Sequence, residues 1–280
     1  GASYFLFKTD APLILFSGIA VLVAVWWLGY MVFGNSTLAL IPVALFSLEP
    51  LFVNQLRIRP LLDIIQLPFI LFSVAIFFRE TEQKRFYWGT AMLLGFVAAT
   101  KSVVPVLLLA LTFSLFLYLG KRYQQLKLFL LATPISFIIL ALTYFRTFLN
   151  GYSFADFIGF QKWILLYQQS KLIFPLSFWR LMFLNEWQAW WGDRSILSAS
   201  DWTITWPLLV MLPFVFVILS YFRKFRIHPV ARLLLLWIFI YEVFLSIGAI
   251  VTRFLLPLLP VLYITGTYAV REMFFSRKRK

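Results

Sequence analysis

No charged side chain interrupts residues 11–33, and apolar runs of similar length recur along most of the chain. A helix needs about 20 apolar residues to cross a hydrocarbon core of ~30 Å. Backbone inside lipid must satisfy its own N–H and C=O groups, which a helix does within one segment. The pattern therefore predicts an all-α fold, a polytopic transmembrane helical bundle. Nine spans are expected, at about 11–33, 36–54, 61–78, 86–100, 102–119, 126–148, 206–221, 230–250 and 254–270. Pro68, Pro105, Pro134, Pro257 and Pro260 fall inside them, which neighbouring helices can tolerate. Charged residues make up only 13% of the chain, against about 25% in a soluble domain.

Several chemistries drop out. There is no cysteine, hence no disulfide and no thiolate metal site, and the single histidine, His228, excludes a His-rich metal centre. A net charge of +14 would suggest nucleic acid in a soluble protein. In a membrane protein it reads first as the loop charge that sets orientation, and no nucleic-acid partner is expected. The opening, GASYFLFKTDAP, begins at Gly1 with neither an initiator Met nor a basic n-region. It reads as the interior of a longer protein, so residues 1–280 are expected to be one N-terminally truncated transmembrane domain.

Numbering the loops alternately separates the charges. One side carries Arg79, Lys84, Arg85, Lys121, Arg122, Lys127, Arg223, Lys224, Arg226, Arg232, Arg271 and the terminal RKRK, which is most of the 25 basic residues. The positive-inside rule makes that side cytoplasmic. The expected protein is thus multi-pass in the cell membrane, with its N-terminus outside and its C-terminus cytoplasmic. The long segment 149–205 then lies outside. Phe157, Phe160, Trp163, Ile164 and Tyr167 could share one helix face there. Trp179, Trp187, Trp190 and Trp191 suit the headgroup level, so one or two interfacial helices are expected. Those aromatics either seat the protein or face a substrate.

Against that bias, the short outer segments hold only Lys8, Arg57, Arg59, Lys101 and Arg253, the last four of them at the external membrane boundary. Each alone could be a side chain snorkelling to headgroups. Four on one face point instead to a shared anionic ligand, and a lipid phosphate at that depth fits the Arg fork and the Lys point charge. Asp63 follows Arg59 by four residues and could pair with it along a helix turn. Glu49 lies near the outer end of its span. Glu242 lies within a span, where Tyr241 or a nearby Arg could satisfy it.

Read in order, these elements resemble the GT-C superfamily, in its protein O-mannosyltransferase and aminoarabinose-transferase-like branch. The segment from FGNSTLAL to TKSVVPVLLL carries the likeness. A span ends at Phe33 and Gly34, an external turn holds Arg57 and Arg59, and a basic loop covers 79–85. Gly89 and Gly95 lie in the next span, and Lys101 stands in a short turn. Near the end, RFLLPLLPVLY matches with Arg253, Pro257 and Pro260. The likeness covers about residues 5–120 and 230–271.

The resemblance implies an inverting membrane glycosyltransferase. It would move a sugar from a polyprenyl-phosphate donor to a lipid, glycan or protein acceptor on the outer face. The donor's phosphate leaves with the prenol, so Arg57, Arg59, Lys101 and Arg253 would stabilise the charge developing there. No cofactor is required by the resemblance, which leaves room for a divalent cation. In the family, the acidic residue taken as base lies in the first external loop, which places the expected base upstream of Gly1. Its role is not carried over to Asp10. Asp63 is the candidate by location, matching an Arg-then-Asp pattern loosely, with Glu186 and Asp193 as further candidates. Two other classes stay open: a lipid-linked saccharide flippase, and an O-antigen polymerase or ligase relying on Arg180 and Arg194.

Overall fold

The computed structural model describes residues 11–57, 62–101, 103–169, 175–189, 195–223, 226–248 and 250–275. Among them are thirteen α-helices: α1 (Ala11–Phe33), α2 (Ser36–Ser47), α3 (Pro50–Arg57), α4 (Leu62–Glu82), α5 (Trp88–Thr100), α6 (Val104–Leu119), α7 (Tyr123–Thr143), α8 (Phe145–Leu149), α9 (Phe154–Gln169), α10 (Ser177–Leu184), α11 (Thr205–Arg223), α12 (Pro229–Ile247) and α13 (Leu259–Phe275). A 3-10 turn, Thr252–Leu255, precedes α13, and two-residue strands β1 (Trp187–Gln188) and β2 (Ile196–Leu197) pair antiparallel. The expected polytopic helical bundle is what forms, and the protein is a multi-pass membrane protein.

Each of the nine expected segments is helical, but they are not equal. Among the described residues, five helices (α1, α4, α7, α11 and α12) are long and apolar enough to cross a membrane. The bent pair α2 and α3, at 65° to each other, would make six. At 1.5 Å per residue the 13 residues of α5 reach about 20 Å, well short of a full crossing. The bend between α2 and α3 has a local cause. Pro50 opens α3 and disfavours helical backbone at the residue before it, Glu49. At the start of α2, Asn35 Oδ1 accepts from the N–H of Thr37 (2.9 Å) and Leu38 (3.1 Å), and Gly34 at φ +63° makes the tight turn back from α1.

Packing runs from α1 onto α2 and α4, from α4 onto α5, and from α5 onto α7, while α11 and α12 both lean on α13, which returns to α2. The α5–α7 crossing is close because Gly95 has no side chain. A Cβ there would sit 2.6 Å from Ile139 Cβ and 2.9 Å from the Ser136 carbonyl oxygen. An aromatic block joins α4, α6 and α7: Phe77 stacks on Phe113 at 4.0 Å, with Tyr87 and Phe129 edge-on to each other beside them. Large apolar side chains such as Phe16, Ile19, Leu131 and Phe137 point outward. In water they would form an untenable patch, whereas in a bilayer they meet hydrocarbon.

The two ends of the bundle differ. At the basic end the Glu80 carboxylate accepts from the N–H of Gly89 (2.8 Å) and Thr90 (3.2 Å) and from the Thr90 hydroxyl (2.6 Å), capping α5. Arg122 reaches Glu82 at 3.3 Å, and the Gln125 amide donates to the Thr81 carbonyl. At the opposite end the long connection folds back on the helices. Ser177 Oγ donates to the carbonyls of Leu245 (3.0 Å) and Gly248 (2.5 Å), and Asn54 of α3 donates to Asp201.

Candidate functional site: a cationic cluster at one end of the bundle

Three chain segments meet at the end opposite the basic loops. Asp63 lies in the first turn of α4, where the helix dipole favours a carboxylate. Lys101 directly follows the last residue of α5. Arg253 belongs to the 3-10 turn between α12 and α13. That turn is pinned from α12: Tyr241 OH donates to the Phe254 carbonyl (3.0 Å) and Trp237 Nε1 to the Pro257 carbonyl (3.2 Å).

In this frame Lys101 Nζ makes an ion pair with Asp63, whose side chain is only 9% exposed. The same ammonium lies 5.2 Å from the centre of the Phe254 ring, and the Arg253 guanidinium carbon lies 5.6 Å from it. One ring thus serves two cations, a favourable arrangement of modest strength. Arg253 Nε is buried and has no hydrogen-bond partner among the described residues. Burial pulls the Lys101 ammonium below its ordinary value. Asp63 works against that, and the neighbouring Arg253 adds to it. The cluster carries more positive than negative charge and holds an unspent donor, so it suits an anion.

The other sequence candidates divide. Arg57 is exposed at the last position of α3 and makes no ion pair among the described residues. Arg59 lies outside the described residues, as do Asp10, Trp190, Trp191, Asp193 and Arg194. Among the described residues, Asp63 is the base candidate that lies beside the cations. Asp63 pairs with Lys101, and the pairing with Arg59 that the four-residue spacing suggests falls on a residue outside the described ones. Glu186 is engaged by Arg180 at 2.5 Å. Glu49 is fully buried and accepts from Trp206 Nε1 (2.9 Å) and Tyr263 OH (2.6 Å), which makes it a structural tie between α2, α11 and α13. Glu242 corrects an expectation. Tyr241 does not satisfy it, because successive helix residues point about 100° apart and the Tyr241 hydroxyl goes to Phe254. Glu242 Oε1 is buried without a partner among the described residues.

Two residues that make contacts at this end of the bundle escaped the sequence reading. Phe254 was visible only as the neighbour of Arg253. Asp201 gave no signal at all, since its link to Asn54 spans 147 residues. The shared aromatic face of α9 is also split. Phe157 turns inward onto Tyr144 (4.9 Å), while Phe160 and Trp163 are exposed and stack on each other (6.3 Å). Among the described residues no group of three or more His, Asp or Glu could hold a metal ion.

No protein-family model and no curated protein sequence matches the chain. Solved structures do. ArnT from Cupriavidus metallidurans in the apo state superposes with a TM-score of 0.67 at 15% identity, over 96% of this chain and 47% of ArnT. The same protein bound to undecaprenyl phosphate gives 0.61 at 15% identity, over 96% of this chain and 48% of ArnT. The chain therefore spans about half the length of ArnT. At that identity the likeness is one of fold. By fold, this chain is a polytopic helical bundle of the ArnT kind.

Proposed function

We propose that the chain is the membrane-embedded part of a glycosyltransferase that uses a polyprenyl-phosphate-linked sugar, with the donor's phosphate seated at Lys101 and Arg253. The carrying observation is the pair of cations on one ring, one with a buried donor that nothing among the described residues accepts. The ArnT fold, one example of which holds undecaprenyl phosphate, supports the choice of ligand. When the sugar–phosphate bond breaks, negative charge grows on the phosphate oxygens. An Arg fork and a Lys point charge already in place stabilise it without rearrangement.

Asp63 then acts first as a positioning residue. It holds Lys101 at the end of α5, and a lipid phosphate would take over part of that ammonium's contacts. The exposed Arg57 fits electrostatic attraction of the headgroup rather than direct contact. The acceptor is proposed to meet the donor on the extracytoplasmic face.

The test is discrimination by one group. In nanodiscs the protein should bind undecaprenyl phosphate and reject undecaprenol, which has the same tail without the charge. Arg253→Gln should remove most of that preference. Equal binding of the two lipids would sink the phosphate site.

Orientation has its own check. With 149–205 outside and the C-terminus inside, a cysteine placed at the exposed Ser198 of this cysteine-free chain should react with an impermeant thiol reagent in intact cells. One placed at Ser276 should not react until the cells are opened. The reverse pattern would invert the topology.

A further inference from the structure

A second feature lies toward the other end of the bundle. The helices α11 and α12, consecutive in the chain, both rest on α13, and between them runs a groove of about 770 Å³ that α6 also borders. Its walls are apolar along their length, with Val210, Phe214 and Val217 from α11 and Leu235 and Phe239 from α12. Phe214 (60% exposed) and Phe239 (64%) open it sideways to the hydrocarbon.

The ends of the groove are polar and unlike. At the basic end it is lined by Arg122 and Arg232. Ten residues farther along α12, about 15 Å by helix rise, it is lined by Glu242, whose Oε1 is buried and unpartnered. Trp179 of the long connection lines it as well.

The geometry points to an anionic diacyl phospholipid as the occupant of this groove, its phosphate between Arg122 and Arg232 and its chains along α11 and α12. Charge complementarity carries the argument. Arg122 has a carboxylate partner in Glu82, but at 3.3 Å between half-exposed side chains that pairing is weak. Arg232 has no ion-pair partner among the described residues. His228, just before Pro229 at this mouth, is held below its ordinary pKa chiefly by burial, so the arginines supply the charge. An anionic head suits that mouth, because the only cations among the lining residues are there and the far end at Glu242 offers none. Between them no polar side chain among the described residues lines the walls, so the middle of the ligand must be apolar. This site is separate from the Lys101 cluster and does not depend on the reading given to it.

The test uses the full chain in detergent and native mass spectrometry, with phosphatidylglycerol and phosphatidylcholine of identical acyl chains as probes. Phosphatidylglycerol should be retained about tenfold better, the equivalent of one charge-assisted hydrogen bond. Arg232→Gln, at an exposed position that leaves the core alone, should bring it down to the phosphatidylcholine level. Val217→Trp, which fills the groove, should lower retention of both lipids. Lys101→Ala should change nothing here, whatever it does to undecaprenyl phosphate. Equal retention of the two probes, or retention unaffected by Arg232→Gln, would mean annular lipid only. Displacement of phosphatidylglycerol by undecaprenyl phosphate, abolished by Lys101→Ala, would show the groove to be the prenyl channel and overturn the proposal.

Discussion

Glu49→Ala is expected to lower the stability of the folded bundle by roughly 2–6 kcal/mol, since two buried donors would each lose their acceptor at ~1–3 kcal/mol. The donors are Trp206 Nε1 at 2.9 Å and Tyr263 OH at 2.6 Å, and both residues are buried beside a carboxylate that is 1% exposed. Both donors are buried, so each one left without an acceptor carries its desolvation penalty. Glu49 also marks the bend between α2 and α3, so the network fixes where a broken span meets α11 and α13. Glu49→Gln keeps one acceptor oxygen and should fall between wild type and Ala. The measurement is the unfolding midpoint in detergent for the three proteins. An Ala variant as stable as wild type would show that the two donors find other partners and that the tie is dispensable.

That network also shows where a sequence stops being readable in this fold. The spans were legible because apolar runs near 20 residues have few other uses, and each expected segment is helical. The break at Pro50 was not foreseen, although the local signal was present, because a proline within a membrane helix is often absorbed without a break. Glu49 could be noticed as an unusual carboxylate but not assigned. Its partners lie 157 and 214 residues away, and spacing along a helix says nothing about them.

The cationic cluster followed the same division. Lys101 and Arg253 stood out because they oppose the charge bias of the loops, and the structure sets both against Phe254. Asp63 was legible as a carboxylate near those cations. Its ion pair with Lys101 was not, because that residue lies 38 positions on and spacing along a helix says nothing about it. The aromatic face of α9 failed for a related reason. Periodicity puts Phe157, Phe160 and Trp163 on one side of a helix, but Tyr144 and Phe148 offer Phe157 an aromatic pocket that the other two do not reach.

Lys101→Ala is expected to weaken undecaprenyl phosphate binding roughly 10- to 150-fold, the equivalent of losing a hydrogen bond to a charged group at about 1.5–3 kcal/mol. The wild-type affinity should also depend on pH in a defined direction. The ammonium binds phosphate only when protonated, and burial holds its pKa below the ordinary lysine value of 10.5. Affinity should therefore be full at low pH and fall as pH rises through that depressed value, earlier than for an exposed lysine. Lys101→Arg should keep its affinity across the same range, because a guanidinium does not lose its proton. Asp63→Asn separates two roles for the carboxylate. Asp63 raises the Lys101 pKa against the effect of burial, so without its charge the fall should begin at a still lower pH. If Asp63 served only as a base toward the acceptor, Asp63→Asn would abolish sugar transfer and leave the pH dependence of binding where it was. Titrating Kd against pH for the four proteins decides between these, and a flat wild-type profile would remove Lys101 from the phosphate site.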